Sequence, residues 1–154
     1  MIAIINGPNL NMLGKRDPTV YGSSTFEDFL PDAECLVSEL TNGEQTLEYF
    51  QSNSEGEIVS RIQELAFDPA CNGILINPGA YAHYSYAIHD AVEMSPIPVI
   101  VVHISNIHSR EEFRHTDVVA PACKGSICGL GLEGYLLGIR YLLSRHDLRD
   151  RIGY

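Results

Sequence analysis

Ile2-Ala3-Ile4-Ile5, running into Asn6-Gly7-Pro8-Asn9, is a short apolar run closed by turn-forming residues, and the device recurs twice along the chain. Gly73-Ile74-Leu75-Ile76 ends in Asn77-Pro78-Gly79, and Val99-Ile100-Val101-Val102 ends in His103. Runs of this kind read as strands buried on both faces. Amphipathic segments lie between them, so the chain alternates strand and helix, the pattern of a parallel sheet covered by helices on both faces. Strands are expected near 2–6, 46–51, 73–77, 98–103 and 126–129, and helices near 26–40, 55–67, 85–94 and 132–145. Ligands of open α/β sheets bind outside the carboxyl ends of the strands. If the strands are parallel, all three polar termini share that edge, and Arg16, Tyr21, His83 and His103 can converge there.

Punctuation supports the same layout. Gly43, Pro69 and Pro96 mark returns from helix to strand, and Thr25 with Asp28 reads as a capping box. Pro31 removes a backbone donor inside the helix so begun, which is therefore expected to kink or to start nearer Leu30. The connection over about 9–24 is long for a strand-to-helix loop and carries Gly14, Lys15, Arg16, Pro18, Tyr21 and Gly22; loops of this kind are often lids. Residues 147–154 read as a short charged tail, and the whole of 1–154 as one domain.

Of the 154 residues, 45% are hydrophobic and 19% charged, values that disfavour disorder. A net charge of −10 argues against a nucleic-acid partner. Lys15, Arg16, Arg110 and Arg114 nevertheless cluster in two loops, where a small anion can be held. Cys35, Cys71, Cys123 and Cys128 form no CxxC pair and read as reduced, mostly buried thiols, with no metal expected. Met1 leads directly into a strand and no apolar run approaches membrane-spanning length, so a soluble cytoplasmic protein is expected. The first loop matches neither GxGxxG nor GxxxxGK[ST], which removes support for dinucleotide or nucleoside triphosphate binding.

Motifs in order along nearly the whole chain carry a resemblance. Ile5-Asn6-Gly7-Pro8-Asn9-Leu10-Asn11-Met12-Leu13-Gly14, Arg16, Pro18, Tyr21-Gly22, Phe50-Gln51-Ser52-Asn53, Ile76-Asn77-Pro78-Gly79-Ala80-Tyr81, His83, His103-Ile104-Ser105-Asn106 and Arg110-Glu111-Glu112-Phe113-Arg114-His115 are similar to type II 3-dehydroquinate dehydratase. The resemblance implies a flavodoxin-like five-stranded parallel sheet of order 2-1-3-4-5 and a homo-oligomer, a dodecamer built from trimers. It implies trans-dehydration of 3-dehydroquinate to 3-dehydroshikimate without metal or cofactor, a step of the shikimate pathway to chorismate and the aromatic amino acids that quinate breakdown also uses. It makes Tyr21 the base that takes the proton α to the ketone and His103 the acid that protonates the departing hydroxyl.

The residue types meet the demands of that chemistry. A phenol of pKa about 10 is protonated at neutral pH, and Arg16 in the same loop favours the phenolate. Charge forming on the carbonyl oxygen needs a donor in place, for which Asn9, through a water, is the candidate. The amides of Ile104 and Ser105 suit the substrate carboxylate, while by resemblance Asn77, His83 and Arg114 bind ring hydroxyls and Asp90 reaches the site of a neighbouring subunit. A Schiff-base route has only Lys15 and Lys124 to draw on, neither placed on a strand.

Plainer readings stand beside these. Tyr21 before Gly22 reads also as a turn aromatic, His103 as a structural histidine, and Asn77-Pro78-Gly79 as a turn alone. Ser54, Tyr84 and Thr116-Asp117 depart from the family pattern, and so does Val101, where the family usually carries a carboxylate. A carboxylate there orients the imidazole and stabilises its protonated form. Val101 is thus expected to weaken His103, and Val101→Glu to raise the rate. It also supports a rival reading, a non-catalytic relative that keeps the assembly and binds a ligand or protein. An FMN-binding flavodoxin-like module is the other rival, disfavoured by the hydroxyl-poor Gly7-Pro8-Asn9-Leu10 loop.

Overall fold

The computed structural model describes residues 1–15 and 25–152, with backbone alone for 145–152. Five parallel strands, β1 (Ile2–Asn6), β2 (Leu47–Gln51), β3 (Gly73–Asn77), β4 (Val99–His103) and β5 (Gly125–Cys128), form one sheet of order β2-β1-β3-β4-β5. This is the expected flavodoxin-like order. The described helices are α1 (Phe26–Thr41), α2 (Glu55–Ala66), α3 (Tyr86–Glu93) and α4 (Glu133–Ile152), together with short 3-10 turns.

Successive residues of a strand point to opposite faces, and the three central strands therefore feed two separate cores. Ile2, Ile4, Leu75, Ile100 and Val102 pack with Phe26, Phe29 and Val37 of α1 and Tyr135 and Ile139 of α4. Ala3, Ile5, Ile74, Ile76, Val99 and Val101 pack with Ile58 and Ile62 of α2 and Ile88 and Val92 of α3. Burial on both faces is why β1, β3 and β4 read as unbroken apolar runs. Edge strand β5 is only half-buried, and its Gly125-Ser126-Ile127-Cys128 sequence gave a boundary one residue late.

Helix α1 begins at Phe26, not Leu30. Thr25 accepts a bond from the Asp28 amide, and its own amide donates to the Asp28 carboxylate, so the capping box is complete. Pro31 lies within the helix at a cost of about 3 kcal/mol. A start at Leu30 would forfeit the burial of Phe26 and Phe29, about 1.5–3 kcal/mol each, as well as the cap. At the other end α4 continues through Ile152, past the start of the expected tail, where the sequence carries neither Gly nor Pro between Gly138 and Gly153. The free thiols are less sequestered than expected: Cys71 is buried, Cys123 and Cys128 are half-buried, and Cys35 is exposed. Among the described residues no helix is long and apolar enough to cross a membrane.

The carboxyl edge is aligned by register, which pairs Asn6 with both Gln51 and Asn77. The loops leaving β1 and β3 are pressed together there. A Cβ on Gly7 would lie 2.6 Å from the Pro78 carbonyl carbon and closer still to its oxygen, while the Gly7 amide donates to Asn77 O at 2.8 Å. Gly79 returns the contact against Pro8 with a φ of +60°, a conformation that disfavours a side chain. Asn77-Pro78-Gly79 is thus a turn whose glycine is required and which also supports the wall of a cavity.

Candidate active site

Above the carboxyl ends of β1, β3 and β4 opens a cavity of about 360 Å³, within the size range of small-molecule sites. Pro8, Asn9 and Leu10 wall it from the β1 side, Asn77 and His83 from the β3 side, and His103, Ile104, Ser105, Arg110 and Arg114 from the β4 side. Of the residues expected at the site, seven therefore stand on one cavity. Asp90 does not: it is exposed on α3 and is not part of this wall. Its neighbours, half-buried His89 and exposed Glu93, bring ligand atoms within 4.8 Å of one another and of it, on the same helix. Arg16 and Tyr21 lie outside the described residues.

Each described group is held by a specific partner. Asn9 sits in the left-handed region with φ 67° and donates its amide to Asn53 Oδ1 at 3.0 Å, which fixes the start of the first loop. Asn77, 4% exposed, faces the α1/α4 core; its Nδ2 donates to the Tyr135 hydroxyl at 3.0 Å, and that hydroxyl donates to Asn6 Oδ1 at 2.8 Å. Tyr135 is wholly buried, and burial pushes its phenol above the ordinary value, so it stays protonated and serves as a brace. Gly79 N donates to Asn77 Oδ1 at 3.2 Å, so both ends of the amide are held while the residue lines the cavity.

His83 Nδ1 lies 2.8 Å from the Thr116 carbonyl oxygen. A carbonyl only accepts, so Nδ1 carries the hydrogen and Nε2 of the neutral ring is left as an acceptor. Glu111 holds both arginines, accepting from Arg114 Nε at 2.9 Å and standing 3.5 Å from Arg110 Nε. Phe113 packs under the Arg114 guanidinium at 4.6 Å, and Arg110 Nη1 donates to Ser105 Oγ at 3.2 Å. Hydrogen bonding within the Glu111 residue itself and to Arg114 keeps that carboxyl below its ordinary value, hence ionised beside the arginines. The cavity thus presents two guanidinium groups to whatever enters it, in a chain of net charge −10.

His103 departs most from expectation. Its Nε2 lies 2.6 Å from Asp117 Oδ2, and the two side chains are only 6% and 8% exposed. Burial opposes ionisation of Asp117, but bonds from His103, Ala120 and Val119 and the charge of His103 outweigh it and hold the carboxyl below its ordinary value. The absence of a carboxylate at Val101 therefore does not leave His103 without one. Val101 is fully buried in the α2/α3 core with Val119, two residues beyond Asp117. No local pattern signals this pair, since Asp117 follows His103 by 14 residues with two 3-10 turns between. Arg110 was legible only as part of a basic cluster.

Similarity to known proteins agrees with this geometry. Residues 1–143 match the family described as Dehydroquinase class II. The 3-dehydroquinate dehydratase of Caldicellulosiruptor bescii is 52% identical over 138 residues, 90% of this chain and 92% of its own length. That of Bacillus subtilis is 50% identical over 152 residues, covering 96% and 97%. The crystal structure of type II dehydroquinase from Propionibacterium acnes superposes with a TM-score of 0.86 at 42% identity, over 93% of this chain and 95% of that one. With a sheet of the same order and a cavity at its carboxyl edge, this chain belongs to the class II dehydroquinase family.

Proposed function

We propose that this chain is a hydro-lyase that dehydrates 3-dehydroquinate to 3-dehydroshikimate by trans elimination through an enolate. The observation that carries the reading is a histidine tied by one ring nitrogen to a buried carboxylate, on the wall of a cavity with two arginines. By family resemblance Tyr21, as phenolate beside Arg16, takes the proton α to the ketone, and Asn9, through a water, donates to the oxygen on which charge forms. The double bond forms as the carbon–oxygen bond to the hydroxyl breaks. His103 delivers its proton to that oxygen, and water leaves. The amides of Ile104 and Ser105 bind the carboxylate, while His83 Nε2, Arg114 and Asn77 take the ring hydroxyls. Lys15 and Lys124 are both exposed, which favours abstraction from the free ketone over a Schiff base.

Asp90, exposed on α3, is suited to complete the site of another copy, and the exposed Tyr84, Tyr86 and Met94 flanking it offer apolar surface for such contact. The active species is then a homo-oligomer of trimers, dodecameric by family resemblance. The test is the absorbance of the conjugated enone when purified protein meets 3-dehydroquinate, beside Tyr21→Phe and His103→Ala. Each variant is expected to lose about 100-fold or more in kcat. No turnover by the well-folded unaltered protein would leave the non-catalytic reading in its place.

A further inference from the structure

His103 and Asp117 belong to different elements, and their meeting has a structural cause. Residues 101 and 103 share one face of β4, so a carboxylate at 101 would stand beside the ring. In this chain that position is Val101, sealed in the apolar core with Val119. The segment carrying Val119 is anchored by Asp117 itself, whose Oδ1 accepts from the amides of Val119 at 2.8 Å and Ala120 at 2.9 Å. Two donors on Oδ1 fix the carboxylate plane and leave Oδ2 aimed at Nε2 of His103. A surface aspartate closing a turn would need only the first of these contacts, and it would not be 8% exposed against a histidine ring.

We propose that Asp117 is the positioning residue of this site: it holds His103 through Nε2, fixes which ring nitrogen faces the cavity, and supplies the counter-charge to the imidazolium in place of the strand carboxylate absent at Val101. An ionised carboxylate only accepts, so Nε2 carries a hydrogen in the neutral ring as well as in the charged one. Nδ1 is then the nitrogen that gains and gives the proton. The Asp117 carboxylate stands 2.6 Å from the ring, so a proton gained on Nδ1 meets an opposite charge already in place. This inference rests on the dehydratase reading for its kinetic consequences and on the geometry of the pair for its spectroscopic one.

The test begins with Asp117→Asn, which keeps an Oδ1 acceptor for the Val119 and Ala120 amides and turns an amide NH₂ toward Nε2. That donor forces Nε2 to accept, moves the hydrogen to Nδ1 and disfavours the imidazolium. The expected result is a fall in kcat of about 100-fold with KM changed less than about threefold, and an alkaline limb of the kcat profile displaced to lower pH. Val101→Glu in the Asp117→Asn background is expected to recover about tenfold of that loss, whereas Val101→Glu alone slows the reaction by crowding two carboxylates around one ring. Nitrogen-15 spectra of ring-labelled unaltered protein are expected to show Nε2–H on neutral His103. A kcat for Asp117→Asn within about threefold of the unaltered protein, with an unmoved pH profile, overturns the proposal. So does a neutral His103 protonated on Nδ1, a result readable even if the variants fail to fold. Should the unaltered protein show no turnover but the Nε2–H signature, the pairing stands and the dehydratase reading fails.

Discussion

Replacing Tyr135 by Phe removes one oxygen from the centre of the α1/α4 core, and the cost can be worked from the contacts of that atom. The hydroxyl donates to Asn6 Oδ1 at 2.8 Å and accepts from Asn77 Nδ2 at 3.0 Å, and the three residues are 0%, 0% and 4% exposed. Asn6 Nδ2 has no other partner among the described residues, so the substitution leaves the Asn6 side-chain amide wholly unpaired, while Asn77 keeps only the bond from Gly79. Each orphaned buried group costs about 1–3 kcal/mol. The phenyl ring keeps its edge contact with Phe26 at 5.0 Å, so little packing is lost and the polar cost dominates. We expect a loss of about 3 kcal/mol, a fall in Tm of roughly 6–12 °C. Urea unfolding followed at several protein concentrations measures it and separates dissociation from unfolding. Adding Asn6→Leu to Tyr135→Phe removes the stranded amide and should regain part of the loss, since replacing both partners by apolar groups costs far less than orphaning one. A loss below about 1 kcal/mol for Tyr135→Phe, or a further loss on adding Asn6→Leu, would refute the reasoning.

Gly7→Ala places a methyl group against the Pro78 carbonyl, and unfolding should show about 3 kcal/mol less stability; an unchanged Tm would mean the two loops separate freely. Arg114→Gln removes a charged donor from the cavity and should raise KM for 3-dehydroquinate about 10-fold to 100-fold, with a smaller change in kcat, in steady-state assays. The Asp117 carboxyl titrates lower in the folded protein than in the unfolded one. Its contribution to stability is therefore complete above the unfolded value of about 3.9 and is lost as pH falls through the folded value. Urea titrations of Asp117→Asn between pH 6 and pH 2 should accordingly show a shallower acid loss than the unaltered protein.

The sheet was legible because burial on both faces writes β1, β3 and β4 as apolar runs ending in polar turns. Helix α1 was less so, since Pro31 weighed against a start that Phe26, Phe29 and the Thr25–Asp28 cap together secure; the packing that decides it is tertiary. The cavity wall could be foreseen in part from Asn9, Asn77 and His103, each at or just beyond a strand terminus whose position the sheet dictates, while His83 and Arg114 were expected there by family resemblance. Asp117 could not, because residues 107–122 carry neither the helical nor the strand period, only 3-10 turns, and nothing in such a segment says which side chain returns to the strand edge. Val101 was visible as a missing carboxylate, and only the folded chain shows that another stands in its place.

The alternation of side chains along the strands has a consequence for how this protein can be altered. Asn6, Asn77 and Tyr135 hang from the core under α1 and α4, whereas His103 and Asp117 hang from the core under α2 and α3. Under the proposed mechanism, the asparagine that would grip substrate and the histidine that would deliver the proton are thus mounted on two foundations separated by the thickness of a sheet. Loosening one foundation should disturb one of the two first, so repacking beneath α4 is a route to altered substrate preference, and repacking beneath α3 a route to an altered working pH.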